Sequence, residues 1–330
     1  MKRPILLTLA FAALGLWVNW SCSNSSSSPN GFQSPVLTVV SINPPFTATP
    51  IPTDTPTPTA TATSTFTPTA TPYAVSTWTG FNAPSAIAVD SNHRVYVADT
   101  GNNFVERFDS NGILDISWGA GGLKGKVAYP SPKGIAVDGN GDLYVVGSGN
   151  QVSRYRPVTT GSSTLIQDAS YDAGVFFSGS LGVATDSSVT FIAVADTGND
   201  QVVLLDKSSG ASMIGYPISS PAGVAVDGVG NIFASTGTGN TVVKLYSTTA
   251  TIPGFSNPQG IFTDGSDDLW VADKGNKQVE AFRSTGLDQE PFLHFNGSGV
   301  LTAPAGVAVD LNGTIYVVDQ GANKVVKFAP

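Results

Sequence analysis

Pro304-Ala-Gly-Val-Ala-Val-Asp310, Leu311-Asn-Gly313, Thr314-Ile-Tyr-Val-Val-Asp319, Gln320-Gly-Ala-Asn323, Lys324-Val-Val-Lys-Phe328 is the stretch whose reading decides the fold. It holds three short apolar runs of strand length, rich in β-branched residues and separated by turn-forming Asn, Asp and Gly. Three such strands alone bury neither of their faces. The unit makes sense only as one copy among several.

Five earlier copies align with it. They run from Pro84-Ser-Ala-Ile-Ala-Val-Asp90, Pro132-Lys-Gly-Ile-Ala-Val-Asp138, Ser180-Leu-Gly-Val-Ala-Thr-Asp186, Pro221-Ala-Gly-Val-Ala-Val-Asp227 and Pro258-Gln-Gly-Ile-Phe-Thr-Asp264, each followed by second and third apolar runs. The aspartates ending the first runs, Asp90, Asp138, Asp186, Asp227, Asp264 and Asp310, are 37 to 48 residues apart. A period of that length, filled with several short strands, indicates an all-β β-propeller. No helical periodicity competes with it.

The pattern Pro-x-Gly-Ile/Val-Ala-Val-Asp followed by Ile-Tyr-Val-Ala-Asp-x-Gly-Asn resembles the NHL repeat family, over about residues 73 to 330. The resemblance implies one four-stranded blade per repeat and a six-bladed propeller. The last copy lacks a fourth strand, because the chain ends at Pro330, whereas Tyr73-Ala-Val-Ser-Thr-Trp-Thr79 precedes the first copy in the place of a fourth strand. Residues 73 to 79 are therefore expected to complete the last blade.

Small residues in the first strand, such as Gly306 and Ala308, let backbones crowd a narrow channel, which makes that strand innermost. The aspartate closing it precedes a turn, as in Asp138-Gly-Asn-Gly-Asp142, and its carboxylate is suited to accept a backbone N–H two residues on. A second aspartate, Asp99, Asp196, Asp273 or Asp319, closes the second strand and reads as a loop-fixing acceptor, replaced by Gly147 and Thr236 in the second and fourth copies. The third strands carry Glu106, Arg107, Arg154, Lys244, Glu280 and Lys327, expected to face solvent. Fourth strands such as Pro291–Phe295 are expected outermost, with polar shielding.

Sixteen Lys and Arg stand against 24 Asp and Glu, giving a formal net charge of −8, and two of those bases, Lys2 and Arg3, lie at the extreme N-terminus. An acidic domain repels phosphate backbones, so nucleic acid is not an expected partner. The single cysteine, Cys22, rules out an intrachain disulfide. Residues 1–22 have the order of an export signal: a basic start, an uncharged Ile5–Val18 stretch, then a polar run. Cys22 after Ser21 resembles in part a bacterial lipoprotein lipobox, which implies lipidation there; a secreted form is the alternative. Residues 23–72 read as an unstructured stalk, with 12 Thr and 6 Pro between Thr47 and Pro72. The expected location is extracytoplasmic, with the membrane touched through the N-terminus only.

Function in a propeller gathers where loops enter the innermost strands. The variable residues there are Ser85, Lys133, Leu181, Ala222, Gln259 and Ala305. Enzymatic relatives of NHL-like architecture imply channel histidines for zinc lyases, His with Glu for streptogramin lyases, and an inner Glu for gluconolactonases. This chain has two histidines, His93 in a turn of the opposite face and His294 in an outer strand, and its glutamates Glu106, Glu280 and Glu290 lie in third strands or just after one. The expectation is a non-catalytic, monomeric binding or scaffold domain without cofactor or metal. Its partner would be a protein, peptide or glycan of the cell envelope. A metal-dependent lyase or hydrolase using channel Asp and Asn is the alternative.

Overall fold

The computed structural model describes residues 9–11, 16–18 and 73–330, apart from 160, 170, 172–175, 187, 246–249, 285–289 and 297–298. The chain divides into two compact units, Met1–Phe66 and Thr67–Pro330. In the first, Leu9–Phe11 pairs antiparallel with Leu16–Val18. Cys22 and the stalk at 23–72 lie outside the described residues. No helix among the described residues is long and apolar enough to cross a membrane.

The second unit is a β-propeller. Its inner strands are Ala86–Val89, Pro132–Val137, Gly182–Ala184, Pro221–Val226, Pro258–Thr263 and Pro304–Val309. Each packs beside the next, and the last returns to the first. Their glycines set the approach: a Cβ on Gly223 would lie 2.4 Å from the Gln259 carbonyl oxygen, and one on Gly260 would lie 2.6 Å from that of Ala305. Only hydrogen fits there.

The ring is closed by the N-terminal strand. Ala74–Trp78 pairs antiparallel with Lys324–Ala329, in a register running from Val325 opposite Trp78 to Ala329 opposite Ala74. Trp78 is buried and packs against Phe108 and Tyr316, at ring-centroid distances of 5.7 Å each. The hydrophobic core is distributed: one buried cluster lies at each junction between neighbouring repeats, such as Tyr144, Val146, Ile192 and Val194 between the second and third. Sheet faces pack on sheet faces around the ring, so no repeat is buried without its neighbours.

Two features depart from the sequence reading. The first two blades are not separate sheets. Gly119–Ala120 pairs in parallel with both Lys126–Ala128 and Thr164–Gln167, joining nine strands. The adjacent Trp118, 2% exposed, anchors this segment edge-on against Tyr96.

The second departure corrects the third strands. Glu106, Arg107, Arg154 and Glu280 are buried, not solvated. Arg107 pairs with Asp115 and lies 5.1 Å over the Trp118 ring; Arg154 pairs with Asp168 and lies 4.4 Å over Tyr171; Glu106 pairs with Lys126. Fourth strands and loops cover these charges, and ion pairs with cation–π contacts offset their desolvation.

Candidate functional site at the upper channel mouth

The two sets of aspartates act at opposite ends of the inner strands. Asp310 Oδ1 accepts the Asn312 and Thr314 amides at 2.9 and 3.0 Å, while Oδ2 accepts the Tyr316 hydroxyl at 3.3 Å. Asp90 and Asp264 repeat the arrangement, with Tyr96 and Trp270 as the aromatic donors at 3.0 and 2.8 Å. Asp138 and Asp227 accept the amides two and four residues on, and Asp186 accepts the one two residues on. Each carboxylate thus fixes its own hairpin turn. Burial and the nearby Asp90 push the Tyr96 phenol up to about 12, so it stays a donor.

At the other end, Asp99 Oδ1 accepts the Asn82 amide at 2.7 Å and Oδ2 the Asn102 side-chain amide at 2.7 Å. Asp196 and Asp273 do the same with Ser178 and Ser256 and with Asn199 and Asn276. Asp319 holds both Thr302 and Ala303 amides. These buried acids tie the loop entering each inner strand to the end of the second strand. Gly147 has no room to do so: a Cβ there would sit 2.4 Å from the Ser131 carbonyl oxygen. Thr236 instead bonds Thr241 across its own hairpin at 2.8 Å.

The loops so fixed surround one end of the channel, here called the upper mouth, a cavity of about 250 Å³. Ser85, Lys133, Leu181, Ala222, Gln259 and Ala305 all line it. Ser85, Ala222 and Ala305 are tied up or small: the Ser85 hydroxyl donates to the Lys133 carbonyl at 2.9 Å, and both alanines are buried. Lys133 and Gln259, the large polar members of this set, are half-buried, and Gln259 Nε2 donates to Asn257 Oδ1 at 2.8 Å.

Two further polar residues belong here that the sequence reading passed over. The position after the second-strand aspartate is Thr100 in the first repeat and Thr197 in the third, and each hydroxyl donates to the inner strand of the next repeat, at Pro132 and Pro221, over 2.7 Å. In the fifth and sixth repeats that position is Lys274 and Gln320. Lys274 Nζ donates to Gln320 Oε1 at 2.8 Å, and Gln320 lines the mouth. Burial, and then the nearby Lys133 charge, hold the Lys274 ammonium below its usual range. The sequence signal was weak: the position is Thr in two of the six repeats, and Ser148 and Gly237 hold it in the second and fourth.

The lower mouth differs in sign. Asp90, Asp138, Asp186, Asp264 and Asp310 line its cavity of about 250 Å³. Oδ1 of each accepts a turn amide, and Oδ2 of Asp90, Asp138, Asp264 and Asp310 accepts an aromatic donor; among the described residues no group of three or more His, Cys, Asp or Glu is arranged to hold a metal ion.

The family model for the NHL repeat matches residues 81–108, and one described as a beta-propeller repeat matches residues 130–151. The chain is an NHL-repeat β-propeller. Solved structures agree on the fold. A catalytically inactive virginiamycin B lyase from Staphylococcus aureus with quinupristin is 15% identical, with a TM-score of 0.53, over 78% of this chain and 99% of that one. A nidogen/laminin complex is 16% identical, with a TM-score of 0.52, over 68% and 84%. Hydrazine synthase of Kuenenia stuttgartiensis is 13% identical, with a TM-score of 0.54, over 76% and 97%. Comparison with curated proteins finds no match. At these identities the likeness shows the fold alone, which a lyase and a nidogen/laminin complex share.

Proposed function

We propose that this NHL propeller is a non-catalytic binding domain that holds a ligand or protein partner at the upper channel mouth. The observation that carries the reading is the clustering there of Lys133, Gln259 and Gln320, the last bonded to Lys274, at positions where other repeats carry small or apolar residues or a structural Thr. The aspartates that a hydrolytic or lytic site would need are engaged in turns and loops instead. Neither histidine supports such a site: His93 lies beside Asp310 at 3.2 Å in a lower-face turn, and His294 is mostly exposed in an outer strand. The nidogen/laminin neighbour is compatible with protein recognition on this architecture.

The basic start, apolar stretch and Cys22 support tethering of the domain outside the cytoplasm, with the Thr/Pro tract as spacer. Intact-mass measurement of the protein from its own membranes tests this part. A full-length chain without cleavage or lipid would overturn it.

A photoreactive residue in place of Gln259, activated in intact cells, tests the site. Adducts are expected there and not from the same residue at Ile166, which is exposed on an outer strand. Equal yields from both would count against the upper mouth. A stoichiometric divalent ion whose removal abolishes a lyase or hydrolase activity would establish the enzymatic alternative.

A further inference from the structure

We infer that the upper mouth selects a small ligand through an anionic carboxylate or phosphate group held between Lys133 and Lys274, with Gln259 and Gln320 as neutral hydrogen-bonding partners. The inference rests on the binding reading above and names the chemistry of its ligand.

Four observations carry it. The protein is acidic overall, yet among the described residues no carboxylate lines this mouth. Among the described residues, neither Lys133 nor Lys274 forms an ion pair, whereas Lys126, Lys207 and Lys324, also half-buried, each do; of the half-buried lysines that share this lack, Lys244 lies over the Phe233 ring and Lys327 Nζ donates to the Ser110 carbonyl. The second and fifth repeats stand across the ring from each other; Lys133 lines the opening, and Lys274 is bonded to Gln320, which lines it too. The two lysines are also close enough for the Lys133 charge to lower the affinity of Lys274 for its proton.

Two like charges kept half-buried without a counter-ion are an unfavourable arrangement for stability alone. An incoming anion relieves it. Carboxylate and phosphate oxygens accept charge-assisted N–H bonds, the strong class of hydrogen bond. Gln320 Oε1 already accepts from Lys274 and orients that ammonium, which leaves the Gln320 side-chain N–H groups to contact the rest of the ligand; Gln259 Nε2 donates to Asn257 Oδ1 at 2.8 Å, so Gln259 offers its Oε1 as an acceptor. The five-aspartate lower mouth repels the same ligand, so the channel has a preferred entrance.

The test is calorimetric titration of the full-length protein with citrate and, separately, with inorganic phosphate, at constant ionic strength. Saturable binding of at least one is expected, and comparison of the two identifies the preferred oxyanion. Lys133→Gln and Lys274→Gln should each weaken it about tenfold, while Lys133→Arg should retain most of it. Lys124→Gln, outside the mouth, should leave it unchanged. Because either Gln variant removes a like-charge repulsion, its melting temperature without anion should be equal or higher, which separates lost binding from lost folding. Absence of saturable binding, or equal binding by the Lys133→Gln/Lys274→Gln double variant, overturns the inference. If the double variant still gives cross-links at position 259, the mouth binds through other chemistry; if the unmodified protein gives none, the parent reading fails as well.

Discussion

Asn323 Oδ1 accepts the Ala83 amide at 2.8 Å, across 240 residues of sequence. The same bond recurs around the ring. Asn103 holds Ser131, Asn150 holds Gly179, Asp200 holds Ser220 and Asn240 holds Asn257, at 2.7 to 3.0 Å. Every one of these acceptors has a left-handed backbone, with φ between 51° and 62°. Asn and Asp tolerate that conformation and present a carboxamide or carboxylate oxygen to the next repeat. The fifth repeat breaks the series. Lys277 has φ 59° and no such oxygen, and the amide it would meet, at Ala303, is taken by Asp319.

Asn323→Ala should therefore destabilise the fold by about 1–2 kcal/mol, from one lost hydrogen bond and an alanine forced into the left-handed region. Asn323→Asp should recover most of the loss, because Asp200 already performs this role. Urea unfolding of the two variants checks the order.

Closure also relies on burial. Trp78→Ala removes a ring packed between Phe108 and Tyr316 at the strand that completes the last sheet. A cost of about 3–5 kcal/mol is expected from an aromatic-to-alanine change in a core. Removing residues 1–80 should lower the melting temperature by many degrees, because it takes away the whole closing strand. An unchanged melt would refute the closure.

The two lysines of the upper mouth make an electrostatic prediction. Lys133→Gln removes a positive charge beside Lys274, which favours the protonated form there, so the Lys274 pKa should rise. Side-chain NMR of labelled lysine follows it directly.

Glu280 gives a pH prediction of definite sign. Burial, partly offset by the Gln278 side-chain amide at 2.6 Å, raises its pKa above the ordinary 4.5. The folded state then binds this proton more tightly than the unfolded chain. Its contribution is greatest below 4.5 and is lost as pH rises from there through the folded pKa. Glu280→Gln should remove that loss, so the variant should gain stability relative to the parent between acidic and neutral pH. Paired urea midpoints at the two pH values measure it.

Much of the architecture was legible because one structural job repeats. The aspartate turn of Asp310 reads from a single copy, and the role of Ala74–Trp78 follows from counting strands at both ends of the chain. The buried charges did not read correctly. Arg107 and Arg154 look solvated in an alternating strand, and their partners Asp115 and Asp168 lie in loops 8 and 14 residues away, where no pattern fixes the pairing. Gly119–Ala120 was invisible for a related reason: a two-residue strand has no periodicity. In the candidate site, Lys133 and Gln259 stood out as large polar residues at small-residue positions. Lys274 and Gln320 became legible only once Thr100 and Thr197 were seen bonding the next repeat, so that their replacement marked a position freed from that task.

Backbone NMR of the full-length protein during citrate titration tests the central claim, binding at the upper mouth, most directly. The predicted result is saturable shifts of the amides of Lys133, Gly134, Gln259 and Gly260, with those of Asp138, Asp264 and Asp310 at the lower mouth unmoved. Shifts confined to the lower mouth or to the outer strands would contradict it.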